Sequence, residues 1–203
     1  KIKMFKKILI ANRGEIALRI IRACRELDIK TVAIHSEADS DAMHVKLADE
    51  SVCVGPANVF QSYLNIPSII TAATITNVDA IHPGYGFLSE SSKFASIIEE
   101  HGYKFIGPRS EHIELMGNKI KAKLTMSKNN IPTIPGDKEI LDSKQVEEFA
   151  EKYGYPIIIK AASGGGGKGM RIIYNKSEIQ QSIATAEREA INSFNDGTLY
   201  LEK

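Results

Sequence analysis

The sequence predicts an α/β protein in two parts: a doubly wound parallel sheet, then a smaller α+β unit. Three observations carry this. Up to Pro108, apolar runs of four or five residues alternate with segments of helical periodicity, the pattern of strands joined by helical crossovers. From residue 110 the alternation stops, and Ile131-Pro132-Thr133-Ile134-Pro135-Gly136 forms a turn-rich joint. Beyond it, two strand-like runs flank four consecutive glycines.

The elements follow in order. Lys7–Ala11 is the first strand, and Asn12-Arg13-Gly14-Glu15 leads into a helix with Ile16, Ala17, Ile20, Ile21, Cys24 and Leu27 on one face. Thr31–Ile34 and Ser51–Val54 are strands. Ile66–Thr76 reads as helix, with Pro67 in the first turn, where its missing N–H is harmless. Val78–Ile81 is a strand running into His82-Pro83-Gly84-Tyr85-Gly86, Ser91–His101 a helix, and Tyr103–Ile106 a strand stopped by Gly107-Pro108. Helical stretches at 110–116 and 118–129 precede the joint. After it come a helix over Ser143–Tyr153, a strand Pro156–Lys160, the loop Gly164–Gly169, a strand Met170–Tyr174, a helix over 176–194 and a strand Thr198–Glu202. The expected division is residues 1–116, a helical linker 117–135, and 136–203.

Composition excludes several classes. With 43% hydrophobic and 25% charged residues the chain can bury a sizeable core, which argues against disorder. Lys and Arg number 26 against 25 Asp and Glu, without the clustered basic charge that a nucleic-acid groove or a membrane-surface helix needs. Cys24 and Cys53 lie in apolar stretches and are expected as buried thiols, with no disulfide framework and a reducing compartment. The basic start is followed by only Ile8–Ala11, too short for a signal-peptide core or a membrane span, so the cytoplasm is expected. Met4-Phe5-Lys6-Lys7 reads as a natural start, with residues 1–3 as an upstream remnant. The histidines (35, 44, 82, 101 and 112) have no metal-ligand spacing, and no zinc site is expected.

The glycine loop is the strongest local signal, because glycine admits positive φ and lets backbone N–H groups approach an anion. It is not a Walker A loop: that pattern needs Gly at 162 and Ser or Thr at 169, where this chain has Ala162 and Gly169. Met170-Arg171-Ile172-Ile173-Tyr174 reads as strand, so no helix N-terminus follows and the dinucleotide fingerprint fails as well. What remains is a hairpin whose tip either closes over the phosphates of a nucleotide or is a surface loop without a ligand. Lys160 favours the first. A charge after Ile157-Ile158-Ile159 needs a partner or a wet cavity, which a phosphate oxygen provides; a snorkelling lysine is the alternative.

Several longer motifs carry a resemblance. Ile8-Leu9-Ile10-Ala11-Asn12-Arg13-Gly14-Glu15-Ile16-Ala17 and Ala80-Ile81-His82-Pro83-Gly84-Tyr85-Gly86-Phe87-Leu88-Ser89-Glu90 resemble biotin carboxylases and biotin-dependent carboxylases generally. Phe105-Ile106-Gly107-Pro108, Met116-Gly117-Asn118-Lys119, Ile159-Lys160-Ala161 and Ser163–Arg171 follow in that family's order, and the resemblance covers residues 5–203. His44–Glu50 and Ser62–Pro67 are most similar to the biotin carboxylase subunit of bacterial acetyl-CoA carboxylase. Asn118 departs from the Asp usual before the ATP lysine, which puts the turn holding that lysine in question.

The resemblance implies a Rossmann-like pre-ATP-grasp domain, a small ATP-grasp lid, and a larger domain beyond Lys203. It implies ATP-dependent carboxylation of biotin on a biotin carboxyl carrier protein from bicarbonate via carboxyphosphate, the first half-reaction of acetyl-CoA carboxylase in fatty-acid synthesis. ATP and Mg²⁺ are the implied cofactors, carboxyltransferase subunits the further partners, and a homodimer the full-length assembly. By this resemblance Lys119, Lys160, Gly166 and Gly167 contact ATP phosphates, Met170 lies near the base, Glu202 and Lys203 read adenine, and Tyr85 sits beside the biotin ring. The metal ligands, the base and the key arginine fall after residue 203, so no catalytic residue is expected in this chain, which is expected to be inactive alone. The alternatives are the corresponding domain of pyruvate or propionyl-CoA carboxylase, and a non-catalytic nucleotide-binding module. Another ATP-grasp ligase such as a carbamoyl-phosphate synthetase lacks the Ala11–Glu15 and His82–Glu90 motifs in this form. Without the resemblance, Lys119 with Lys121 and Lys123 reads as solvated helix surface, Glu202-Lys203 as a frayed end, and His82–Gly86 as a tight loop.

Overall fold

Alternate side chains of a strand face opposite ways, and the first strand of this chain is buried on both faces. In the computed structural model, which describes residues 5–140, 142–163 and 167–203, the first half runs β1 (Lys7–Ile10), α1 (Gly14–Glu26), β2 (Lys30–Ser36), α2 (Met43–Leu47), β3 (Glu50–Gly55), α3 (Ile66–Thr76), β4 (Ala80–His82), α4 (Ser92–Glu100) and β5 (Lys104–Phe105). Then follow α5 (Ser110–Gly117), α6 (Lys119–Lys128), β6 (Gly136–Glu139), α7 (Ser143–Tyr153), β7 (Ile157–Ala161), β8 (Met170–Ile173), α8 (Ile179–Phe194) and β9 (Leu199–Glu202). The chain divides into two compact units, one up to Glu114 and one from Leu115.

In the first unit five parallel strands take the order β3-β2-β1-β4-β5. Ile8 and Ile10 pack with Ala17, Ile20, Ile21 and Cys24 of α1 on one face. Leu9, Val32, Ile34 and Ile81 pack with Ile69 and Ala73 of α3 and with Phe94 and Ile98 of α4 on the other. Helices on both faces make the expected doubly wound sheet. The strand order turns back at β1, between β2 and β4, so the loops leaving β1 and β4 part at the carboxyl edge, where sheets of this kind bind ligands.

Two expectations are corrected, and one element was not foreseen. Leu27 is not on the buried face; it caps the C-terminus of α1 and is exposed, since one residue past the helix its side chain leaves the apolar stripe. Cys24 is buried, but Cys53 is exposed, because β3 is the edge strand of the sheet. Helix α2 had no signal in the sequence.

Asp49, just before β3, ties that edge to β2. Its carboxylate accepts from Lys30 Nζ at 2.8 Å and from the backbone N–H and hydroxyl of Thr31, each at 2.9 Å. The Lys30 hydrogen bond, ahead of the Thr31 donors, holds its pKa down at about 2, from an ordinary 3.8. A carboxylate with a depressed folded-state pKa stabilises the fold above its unfolded value, and that stability is lost as pH falls through the folded one. Asp49→Asn is therefore expected to cost about 1 kcal/mol at neutral pH, a figure discounted for solvent screening, and progressively less between about pH 4 and pH 2. Denaturant midpoints of both proteins across that range check it.

In the second unit the strand order is β6-β9-β7-β8, with antiparallel pairing throughout. One face carries Ile157, Ile159, Ala161, Leu199 and Leu201 against Val146 and Phe149 of α7 and Ile179, Ala186 and Ala190 of α8. Strand β6 falls at the end of the expected joint and was not predicted. Gly-Asp-Lys-Glu has no strand propensity; it is extended because β9 lies beside it. The Asn118 departure proves harmless to the turn: its side chain accepts from Lys121 N at 2.9 Å and caps α6. Asn caps a helix about as well as Asp.

Candidate functional site

At the carboxyl edge of the first sheet, Asn12 is buried two residues after the end of β1. Its amide donates to Pro83 O and Tyr85 O, both at 2.8 Å, and its Oδ1 accepts from Arg13 N at 2.9 Å. One short side chain thus fixes the loop after β4 to the end of β1. Gly84 follows from this: it has φ +66°, and a Cβ there would lie 2.7 Å from Asn12 Nδ2. His82 Nδ1 faces Gly84 N at 3.0 Å, and burial lowers the His82 pKa, so the ring is neutral and accepts that N–H.

Next to it the Arg13 guanidinium lies 5.3 Å from the Tyr63 ring centre and 5.6 Å from that of Phe87, which stack at 5.5 Å. Arg13 also reaches Asp39 at 3.1 Å, and Tyr63 donates to the same carboxylate at 2.6 Å. Burial, then the hydrogen bond to Asp39, pushes the Tyr63 hydroxyl up to about 12, so it stays a donor. This cluster holds the loop that presents Tyr85. Tyr85 itself is exposed and donates to Glu15.

The second unit gathers most of the other candidate residues. In β7, Ile157, Ile159 and Ala161 face the core, so Lys160 faces the opposite side of the sheet, as do Ile158 and its β9 partner Glu202. Glu202 is only 7% exposed, and its carboxylate is shared: Oε2 accepts from Lys160, and Oε1 from Lys123 of α6 at 3.0 Å. Burial alone would raise the Glu202 pKa; the hydrogen bonds from Lys160 and Lys123 outweigh it and leave the pKa below the ordinary carboxylate value. Lys119 donates to Ala161 O at 3.4 Å, and its backbone N–H to Ala162 O at 3.1 Å. Burial first, then the Lys160 charge, lowers the Lys119 pKa, with Glu202 opposing. Two ammonium groups therefore hold one buried carboxylate, and a third, that of Lys119, lies within range of its charge.

Met170, which opens β8, pairs with Lys160 in register and is partly exposed. Gly167 is exposed at φ +76° and has Met170 Cε 3.6 Å from its Cβ position. Gly166 lies outside the described residues. Lys203 is not a frayed end: its N–H donates to Pro135 O at 2.9 Å and its Nζ to Gly154 O at 2.9 Å and Pro156 O at 3.2 Å. It is thereby directed away from the Glu202 cluster. Lys123 was missed as a site residue, since its pairing with Glu202 spans 79 positions and leaves no local pattern.

Comparison with known proteins is consistent with this geometry. The N-terminal domain of biotin carboxylase matches residues 4–113, and the ATP-binding domain of the carbamoyl-phosphate synthase L chain matches residues 118–203. The biotin carboxylase of Allochromatium vinosum is 55% identical over 98% of this chain, and the mitochondrial propionyl-CoA carboxylase alpha chain of Homo sapiens 49% over 99%. The chain spans 45% of the first protein and 28% of the second. The crystal structure of a biotin carboxylase–βγ-ATP complex from Campylobacter jejuni superposes with a TM-score of 0.95 at 49% identity, covering 98% of this chain and 45% of that one. The biotin carboxylase domain dimer of Hydrogenobacter thermophilus 2-oxoglutarate carboxylase, with MgADP and bicarbonate, gives 0.93 at 48% identity over 99% of this chain and 44% of that one. By its matched domain, its relatives and its fold, the chain belongs to the biotin carboxylase family.

Proposed function

We propose that this chain supplies the nucleotide grip and one wall of the biotin site in an ATP-dependent biotin carboxylase. The reaction is carboxylation of biotin on a carrier protein, from bicarbonate and through carboxyphosphate. One observation carries the reading: Lys123 and Lys160 both hold Glu202, and Lys119 lies near enough to feel the charges of Lys160 and Glu202, an excess of positive charge in half-buried surroundings. Polyphosphate is the ligand chemistry that balances such an excess, and Lys160 and Lys119 would bind its oxygens as point charges. Tyr85, held by the Asn12 and Arg13 contacts, would flank biotin. Among the described residues no group of three His, Cys, Asp or Glu is disposed to hold a metal ion. In this reading the magnesium that accompanies ATP is held by residues outside these 203, and bound MgATP supplies the phosphoryl group that activates bicarbonate.

We assign acetyl-CoA as the final acceptor, and so a place in fatty-acid synthesis, on the His44–Glu50 and Ser62–Pro67 motifs. The full-length protein is expected to hydrolyse ATP only when bicarbonate and biotin are both present, and with carboxyltransferase subunits to carboxylate acetyl-CoA in preference to propionyl-CoA or pyruvate. ATP hydrolysis indifferent to biotin would overturn the reading; preference for another acceptor would overturn only the assignment. The 203-residue chain alone is expected to show no turnover and to bind ATP more weakly than about 1 μM in calorimetry, because each tenfold loss of affinity needs only about 1.4 kcal/mol of missing contacts.

A further inference from the structure

Lys123 belongs to none of the motifs that carry the family resemblance, yet it is built into the Glu202 cluster. It stands four residues after Lys119, so both side chains leave the same face of α6. Two ammonium groups so placed repel each other unless an anion lies near, and Glu202 is that anion. Space is kept for the Lys123 ammonium: a Cβ on Gly136, which opens β6, would stand 2.2 Å from Lys123 Nζ and 2.6 Å from Leu201 O. The Lys123 ammonium also lies 5.6 Å from the centre of the Tyr200 ring, a second favourable contact.

The division of the carboxylate matters most. Lys123 holds Oε1 and Lys160 holds Oε2. Stripping a buried carboxylate of its only cation is strongly unfavourable, whereas removing one cation of two leaves the charge paired. With Lys160 as sole partner, a phosphate would have to draw that lysine away from an otherwise uncompensated buried charge. With Lys123 in place, Lys160 can exchange Glu202 for a phosphate oxygen.

We propose that Lys123 is a positioning residue of the nucleotide grip: it keeps Glu202 ionised and paired so that Lys160 is released to the phosphates. This rests on the reading that Lys160 binds ATP. The test is steady-state kinetics of the full-length enzyme carrying Lys123→Met or Lys123→Arg, alone and combined with Glu202→Gln. Lys123→Met is expected to raise KM for ATP about tenfold, the scale of one charge-assisted hydrogen bond, with KM for bicarbonate and for biotin within about twofold of wild type. Lys123→Arg should restore KM for ATP to within about threefold. In the Glu202→Gln background, where no carboxylate holds Lys160, Lys123→Met should add less than about twofold, because the two residues act as a unit. An unchanged KM for ATP in Lys123→Met, or an equal rise in both backgrounds, as a packing role would give, overturns the proposal. If Lys123→Met does not fold, Lys123→Gln in the same two backgrounds decides. Lys160→Gln separates the two levels: if it leaves KM for ATP unchanged the nucleotide reading itself fails, and if it raises KM while Lys123→Met does not, only the role of Lys123 falls.

Discussion

Lys160→Gln in the full-length enzyme is expected to raise KM for ATP by about 10- to 100-fold, with KM for biotin nearly unchanged. Gln keeps roughly the length of the side chain and removes its charge, and a charge-assisted hydrogen bond to a phosphate contributes about 1.5–3 kcal/mol. The effect on folding should be small by comparison. Lys160 is half-buried, and Glu202 keeps its 3.0 Å bond to Lys123 when Lys160 is gone. Thermal unfolding of the nucleotide-free variant should shift by only a few degrees, while the kinetic effect spans one to two orders of magnitude. An ATP constant equal to that of wild type would make Lys160 a strand-end lysine whose partner is Glu202 and nothing more.

Gly169→Val is expected to show the opposite split: a loss of about 3–5 kcal/mol in folding stability, whatever its effect on catalysis. Gly169 is buried at φ +66°, where a β-branched residue is strained. A Cβ there would come 2.9 Å from Ala161 Cβ and 3.4 Å from Ala190 Cβ, two side chains of the second core. Its carbonyl also accepts from Ala161 N at 2.9 Å, joining the end of β7 to the start of β8. Overpacking and backbone strain therefore add. Gly167, two residues earlier, also has positive φ but is exposed, with only Met170 Cε within reach. Gly167→Ala should cost about 1 kcal/mol. Chemical denaturation of both variants checks the contrast; equal losses would mean that Gly169 is no more structural than Gly167.

The glycines show what a sequence can and cannot disclose. A run of them identifies a hairpin tip, but which member is packed against the core depends on α8, some twenty residues away, and no local pattern reports that. The parallel sheet was legible because alternation of short apolar runs with amphipathic helices is itself the cause of the βαβ arrangement. Cys53 was misplaced because an apolar neighbourhood does not distinguish an edge strand from a central one; that depends on strand order. The demand of Lys160 for a partner was legible from the buried strand before it, but the partner in this structure, Glu202, lies 42 residues on. Read locally, Glu202-Lys203 is a chain end and Lys123 one of several lysines on a polar helix. The pairing of β9 with β7 brings Glu202 to Lys160, and α6 adds Lys123 from the other side of the carboxylate.

The place of β9 also bears on how the second unit is made. Among the described residues, the strand latest in sequence lies second in the sheet, and without it β6 pairs with no other strand. A ribosome releases the first unit's last strand, at Phe105, long before it reaches Leu199. The parallel sheet can thus assemble while the rest is still being translated, whereas the antiparallel one must wait for its final four residues. Until they emerge, β7 and β8 form a bare hairpin with both edges unpaired, the kind of surface on which nascent chains pair wrongly. The acid that gathers the lysines arrives on that same segment, so the cluster and the sheet are completed in one step.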